Sequence, residues 1–175
     1  MGLTIIEDTR QKDGKHTLKN DQWMEQGVAV IRSAIRFGDY VIDSDDELPP
    51  IVSVDTKADI YELAKNIGKE HDRFRRELVG ARDIGTQLVV LVENEDGVES
   101  LEDLCEWRES EGHFAMRKRV SKNENTRIIE GRRLAKACKT MEQRYGVRFE
   151  FCRPDEAAAR VVKILLEGGE RRCQK

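Results

Sequence analysis

The sequence predicts an α/β domain built on a central mixed β-sheet. Three observations lead there. Gln87–Glu93 reads Gln-Leu-Val-Val-Leu-Val-Glu, apolar nearly throughout, as in a strand covered on both faces. Arg36–Ile42 and Ile51–Asp55 are β-branched segments that read as consecutive strands, separated by an acidic turn with two prolines, Asp43–Pro50. The rest of the chain alternates helical periodicity with short strand-like runs.

In chain order, Leu3–Glu7 reads as a short buried strand and Asp8–Lys19 as a polar loop. Asn20 or Asp21 caps a helix through about Ile35, with Trp23, Met24, Val28, Ile31 and Ile35 near helical spacing, weakened by Gly27. After the two strands come helices Asp59–Gly68 and Glu70–Ile84, the second with Phe74, Leu78 and Ala81 on one face. Val98–Trp107 reads as a helix. Arg108–Thr126 has weak periodicity and many charges, so it is predicted as a loop or mobile excursion. Arg127–Tyr145 is a helix with Gly146 as its C-cap, Val147–Cys152 a strand, and Pro154–Glu167 a helix with proline in its first turn and Gly168 after it. The reading is a single domain over 1–167, with a basic flexible tail over 168–175.

Composition narrows the function classes. The chain has 175 residues and a net charge of −3, unevenly spread. Acidic residues outnumber basic ones over residues 1–60, and basic ones dominate Arg108–Arg133. An acidic N-terminal part suits metal binding and a basic stretch can meet a polyanion, although a solvated mixed-charge surface gives the same counts. The four cysteines, Cys105, Cys138, Cys152 and Cys173, form no Cys-x-x-Cys pair and read as reduced thiols. No apolar run is long enough for a bilayer and no signal-peptide pattern is seen, so no membrane partner is expected. The expected compartment is the cytoplasm, or the nucleus in a eukaryote. The compact stand-alone domain suggests a bacterial or phage source.

The chemistry lies where the strands end. Side chains two apart on a strand share a face, so Asp55 and Lys57 emerge together, one anionic and one cationic. If Asp39 of Gly38-Asp39-Tyr40 lies on the neighbouring strand, two carboxylates and an ammonium converge. That set can hold a hard divalent ion and steady an attacking water against a phosphodiester.

Ile5-Ile6-Glu7-Asp8-Thr9-Arg10, Gly38-Asp39-Tyr40-Val41-Ile42 and Val54-Asp55-Thr56-Lys57, in that order, resemble the nuclease domain of the XPF excision-repair endonuclease family, in the PD-(D/E)XK, restriction-endonuclease-like superfamily. His71–Leu78, Leu88–Glu93 and Gly131 through Leu165 are similar to its later elements, and residues 108–126 match least. Two departures stand out. Asp55 replaces the family's usual glutamate, which the superfamily pattern accepts, and Gln11 replaces a glutamate of the first motif. No helix–hairpin–helix module follows, so branched-DNA specificity is not implied.

The resemblance implies a Mg²⁺- or Mn²⁺-dependent DNA endonuclease, structure selectivity left open, acting in DNA repair or recombination, with DNA and a homodimeric or nuclease partner subunit as partners. Asp39, Asp55, Asp8 and the Thr56 backbone carbonyl are the expected metal ligands, and Lys57 orients water or neutralises phosphate charge. Glu62 is a weaker candidate for an outer role. Arg10, Arg75, Arg82, Arg117, Lys118 and Arg119 are the expected DNA contacts, with Arg73 and Arg76 beside them. Each has a plainer reading. Arg10 also serves to brace Asp8, and the helix arginines serve as surface ion pairs. His71 and His113 read as surface histidines, and Trp23 and Trp107 as packing residues. The competing class is a catalytically silent DNA-binding or scaffolding subunit, which loss of Asp39, Asp55 or Lys57 would have favoured. A haloacid-type phosphatase needs Asp-x-Asp, and Arg10 stands where the second acid belongs.

Overall fold

A computed structural model of the chain describes residues 2–10, 17–44, 48–121 and 126–170. Gln11, Cys173 and the tail beyond residue 170 lie outside them.

Six strands form one mixed sheet: β1 Thr4–Asp8, β2 Ala29–Ser33, β3 Tyr40–Ile42, β4 Val52–Lys57, β5 Gln87–Glu93 and β6 Arg148–Cys152. Their spatial order is β2-β1-β3-β4-β5-β6. The pairs β1–β2, β4–β5 and β5–β6 are parallel, whereas β3 runs antiparallel to β1 and β4. This is the restriction-endonuclease-like mixed sheet flanked by helices.

The strand period of two sends each strand's residues to two cores. Leu88, Val90 and Val92 of β5 pack with α2 Ile60–Ile67, α3 His71–Asp83, α4 Leu101–Glu106 and α6 Gly131–Tyr145. Val89 and Leu91 face the other way, with Val52 and Val54, toward α1 Thr17–Glu25 and α7 Ala157–Glu170. Trp23 is fully buried there, and its indole N–H donates to the Ala158 carbonyl at 3.0 Å, pinning α1 to α7.

Four expectations need correction. The helix expected from a cap at Asn20 or Asp21 through Ile35 instead runs from Thr17 to Glu25, because Ala29-Val30-Ile31 pairs in parallel with β1 and the β-branched run gains more as a strand. The strand expected over Arg36–Ile42 shortens to Tyr40–Ile42. The expected loop over 108–126 contains a helix, α5 Glu111–Val120. Ser110 caps it by accepting the His113 N–H, an acid lies in its first turn, and Arg117, Lys118 and Arg119 complement the dipole in its last. Finally, α7 does not stop before Gly168 but runs to Glu170. Gly168 is buried, and a Cβ there would stand 2.3 Å from a Val52 methyl, so this glycine permits close packing on β4 rather than ending the helix.

Candidate active site

Three strand ends meet at one edge of the cleft. The Asp39 N–H donates to the Val54 carbonyl at 2.7 Å, and the Asp8 N–H donates to the Asp39 carbonyl at 2.9 Å. Backbone pairing thereby sets Asp8, Asp39 and Asp55 side by side. Gly38 makes the approach possible. Its φ of +78° favours glycine, and a Cβ there would stand 2.3 Å from the Ser53 hydroxyl. That hydroxyl donates to the Phe37 carbonyl at 2.6 Å and fixes the loop before Asp39.

Asp55 and Lys57 share the face of β4 that carries Ser53, in register with Val90 and Val92. All three residues from Asp55 to Lys57 are buried. The Lys57 ammonium donates to Asp55 Oδ1 at 2.8 Å and lies 2.6 Å from Oδ2. Oδ2 is buried and accepts no well-directed hydrogen bond, so its contact with Lys57 is an ion contact off the hydrogen-bonding direction. Lys57 also stands 5.7 Å above the centre of the Phe74 ring. Asp39 Oδ2 accepts from the Thr56 N–H at 2.8 Å and the Thr56 hydroxyl at 2.7 Å.

Electrostatics follow from this packing. Burial pushes the Asp55 carboxyl up to about 7, Lys57 opposes the rise, and the Asp39 and Glu77 charges add to it. Lys57 itself is raised: burial favours the neutral amine, but Asp55 outweighs it and the ammonium stays charged. The site therefore holds a charged lysine beside an acid that burial raises above its ordinary value.

These residues line a cleft of about 540 Å³. Asp8, Asp39, Asp55, Glu62 and Glu77 contribute its acids, and Arg10, Arg36, Lys57, Arg73 and Arg76 its cations. The acids suit a hard cation and the exposed arginines an anionic chain. Asp8, expected as a ligand, lines the cleft and is also a brace. Its Oδ1 accepts from the Arg10 and Ile35 N–H groups at 3.2 and 3.4 Å, and its Oδ2 accepts from Arg10 Nε at 2.6 Å. Arg10 also donates to the Ile35 carbonyl at 2.6 Å. The pair braces the segment leading to Asp39, while Arg10 remains 61% exposed at the cleft. Glu62 is a capping residue: its carboxylate accepts the Ala58 N–H at 2.9 Å, and Asp59 accepts the Glu62 N–H at 2.6 Å.

The other expected DNA contacts lie elsewhere. Arg75 donates to the Tyr145 hydroxyl, and Arg82 to Asp83 and the Arg144 carbonyl, so both face α6 rather than the cleft. Arg117 donates to both oxygens of buried Glu109, at 2.8 and 2.7 Å, and to the Arg127 carbonyl. Lys118 and Arg119 are exposed on α5. His113 is no bare surface histidine: its Nδ1 lies 2.9 Å from Glu109, and its ring stacks on Tyr61 at 3.6 Å. Arg36 and Glu77 escaped the sequence reading. Glu77 lies one turn from Arg73 on α3, and its Oε1 accepts the Gly38 N–H at 3.3 Å. Its helical spacing from Arg73 was visible, but the loop it meets was not.

Comparison with known proteins agrees at the level of fold. No family model and no curated protein matches the chain. Among solved structures, it matches XPF from Aeropyrum pernix with a TM-score of 0.59 and 17% identity, over 98% of this chain and 67% of that one. The same protein in complex with DNA matches with a TM-score of 0.60 and 16% identity, over 97% and 66%. The chain shares the fold of XPF. It spans about two thirds of that protein's length in both structures. Among the described residues, no helix is long and apolar enough to cross a membrane.

Proposed function

We propose that the chain is a metal-dependent endodeoxyribonuclease that hydrolyses phosphodiester bonds. The observation that carries this reading is the pairing of Asp55 with Lys57 on one face of β4, with Asp39 beside them, in a cleft flanked by arginines. The shared fold with XPF and that protein's structure in complex with DNA support it.

The donor set fits a hard divalent ion. Asp39 and Asp55, with Asp8 beside them, line one cleft, and the buried Asp55 Oδ2 has an ion contact with Lys57 but accepts no well-directed hydrogen bond. Mg²⁺ prefers oxygen ligands and keeps several waters, so two carboxylates suffice, with the Thr56 backbone carbonyl as a further proposed donor. Such an ion, when bound, polarises the phosphate and lowers the pKa of a bound water.

The chain's own residues do the rest. Lys57 stays protonated and neutralises charge that develops on phosphate oxygens. Phe74 and the buried surroundings fix its position, so little reorganisation is needed. Arg10, Arg36, Arg73 and Arg76 present exposed guanidinium groups for the flanking phosphates. Asp8 acts through Arg10 and Ile35 by holding the loop that carries Asp39. A homodimer or partner subunit remains part of the proposal.

The test is a cleavage panel with Mg²⁺ or Mn²⁺ on single-stranded, duplex, flapped and four-way DNA, with Asp39→Asn and Asp55→Asn as controls. The parent should cut, neither variant should, and calorimetry should show weakened Mn²⁺ binding in both. A parent that binds DNA but cuts nothing in either metal would be a silent DNA-binding subunit instead.

A further inference from the structure

A second recess opens on the other side of α2. It measures about 360 Å³ and is lined by Tyr61, Ala64, Lys65, Lys69, Arg117 and Ile129. Its floor is apolar and its rim cationic. Tyr61 is held from two sides, stacked on His113 and edge-on to Trp107 at 5.6 Å. Arg117 is held by buried Glu109. The walls are thus fixed before any ligand arrives, which lowers the cost of binding. Lys69 is exposed, and no carboxylate among the described residues pairs with it.

The recess and the cleft are joined by one carboxylate. Glu70 accepts from Lys65 at 2.8 Å and from Arg73 at 2.5 Å. Lys65 lines the recess and Arg73 lines the cleft. Cations thus stand at both places, Arg10, Arg73 and Arg76 at the cleft and Lys65, Lys69 and Arg117 at the recess, with Glu70 paired between Arg73 and Lys65. A flat ring carrying an anionic backbone matches an apolar hollow with a cationic rim.

We propose that this recess receives an unpaired nucleobase of the strand whose phosphates lie along the cleft. Sites for single strands combine a cationic track with aromatic and apolar surfaces for the bases. The hollow is of small-ligand size, and a base held in a duplex cannot enter it. The path of the strand rests on the nuclease reading, but the recess makes its own prediction: affinity for single strands exceeds what the arginines alone provide.

The test uses a short single-stranded oligothymidylate carrying one 2-aminopurine, titrated in Ca²⁺ so that no turnover occurs. The parent should alter the 2-aminopurine fluorescence on binding. Ala64→Leu narrows the hollow and should weaken binding about tenfold, the scale of one base contact, with loss of the fluorescence change. Lys69→Glu should weaken binding as well and serves if Ala64→Leu fails to fold. Arg82→Ala, whose side chain faces α6, should retain the fluorescence change. Two folded variants that bind like the parent would overturn the proposal. So would unchanged oligonucleotide affinity with altered self-association by sedimentation, which would assign the recess to a second copy of the chain. Cleavage of the same oligonucleotide by the parent in Mg²⁺ reads the nuclease assignment separately. A parent that binds through the recess without cutting loses that assignment and keeps this one.

Discussion

Two buried acids in this molecule have opposite fates. Glu109, before α5, and Asp55, on β4, are both withdrawn from water. Burial pushes Glu109 up, but hydrogen bonds from Arg117, His113 and the Ile129 N–H outweigh it and hold its carboxyl down to about 2. Burial pushes Asp55 up to about 7; its single lysine does not overcome that burial, and Asp39 and Glu77 add to the rise. A buried carboxylate with all its acceptors engaged is a structural tie. One with a single lysine partner, deep burial and like-charged neighbours is short of positive charge, which an incoming cation relieves.

The largest expected effect lies at the under-compensated site. Asp39→Asn and Asp55→Asn should each abolish detectable cleavage while the circular dichroism stays folded. Residual activity near the parent's in either variant would remove that carboxylate from the proposed machinery.

Lys57→Ala comes next. It should lower single-turnover cleavage by roughly a hundredfold or more, the scale of losing one preorganised electrostatic group, with DNA affinity in Ca²⁺ little changed. Lys57→Arg should rescue only in part, because the guanidinium is planar and wider than the ammonium. A parent-like rate in Lys57→Ala would leave Asp55 without a catalytic partner and erase the contrast with Glu109.

At the compensated site the effect should fall on stability instead. Glu109→Gln leaves Arg117 and its surroundings without their counter-charge and should cost about 3 kcal/mol in chemical denaturation. The two acids should also give opposite pH slopes without metal. Glu109 lies below its ordinary 4.5, so its contribution is full above that pH and is lost as pH falls toward about 2. Asp55 lies above its ordinary 3.8, so its contribution is full below that pH and is lost as pH rises through about 7. Denaturation across pH, parent against each variant, reads both signs.

The smallest effects concern the arginines. Arg73→Ala should weaken DNA binding a few-fold on every sequence and make the salt slope shallower by about one. Arg82→Ala, whose side chain faces α6, should change neither. Neutralising Lys118 and Arg119 with Arg117 intact asks whether α5 meets DNA. An unchanged salt slope would return α5 to the solvated surface.

Much of this was written locally in the chain. The run Gln87–Glu93 is apolar on both faces, so its central place needed no tertiary information. Asp55 and Lys57 share a face because strand geometry puts residues two apart together. Helix α5 was hidden because none of its residues is buried, which leaves no apolar stripe to read; only its Ser110 cap and charge order mark it. Tertiary packing alone decided that Asp8 accepts the Ile35 N–H, and that Arg117 serves Glu109. It also decided that Glu77 reaches the loop before Asp39, and that Gly168 yields space to Val52. The division has a physical reason. Periodicity and side-chain chemistry are properties of neighbours along the chain, whereas the partner that satisfies a buried charge comes from a distant segment and is chosen only when the sheet and helices close around it.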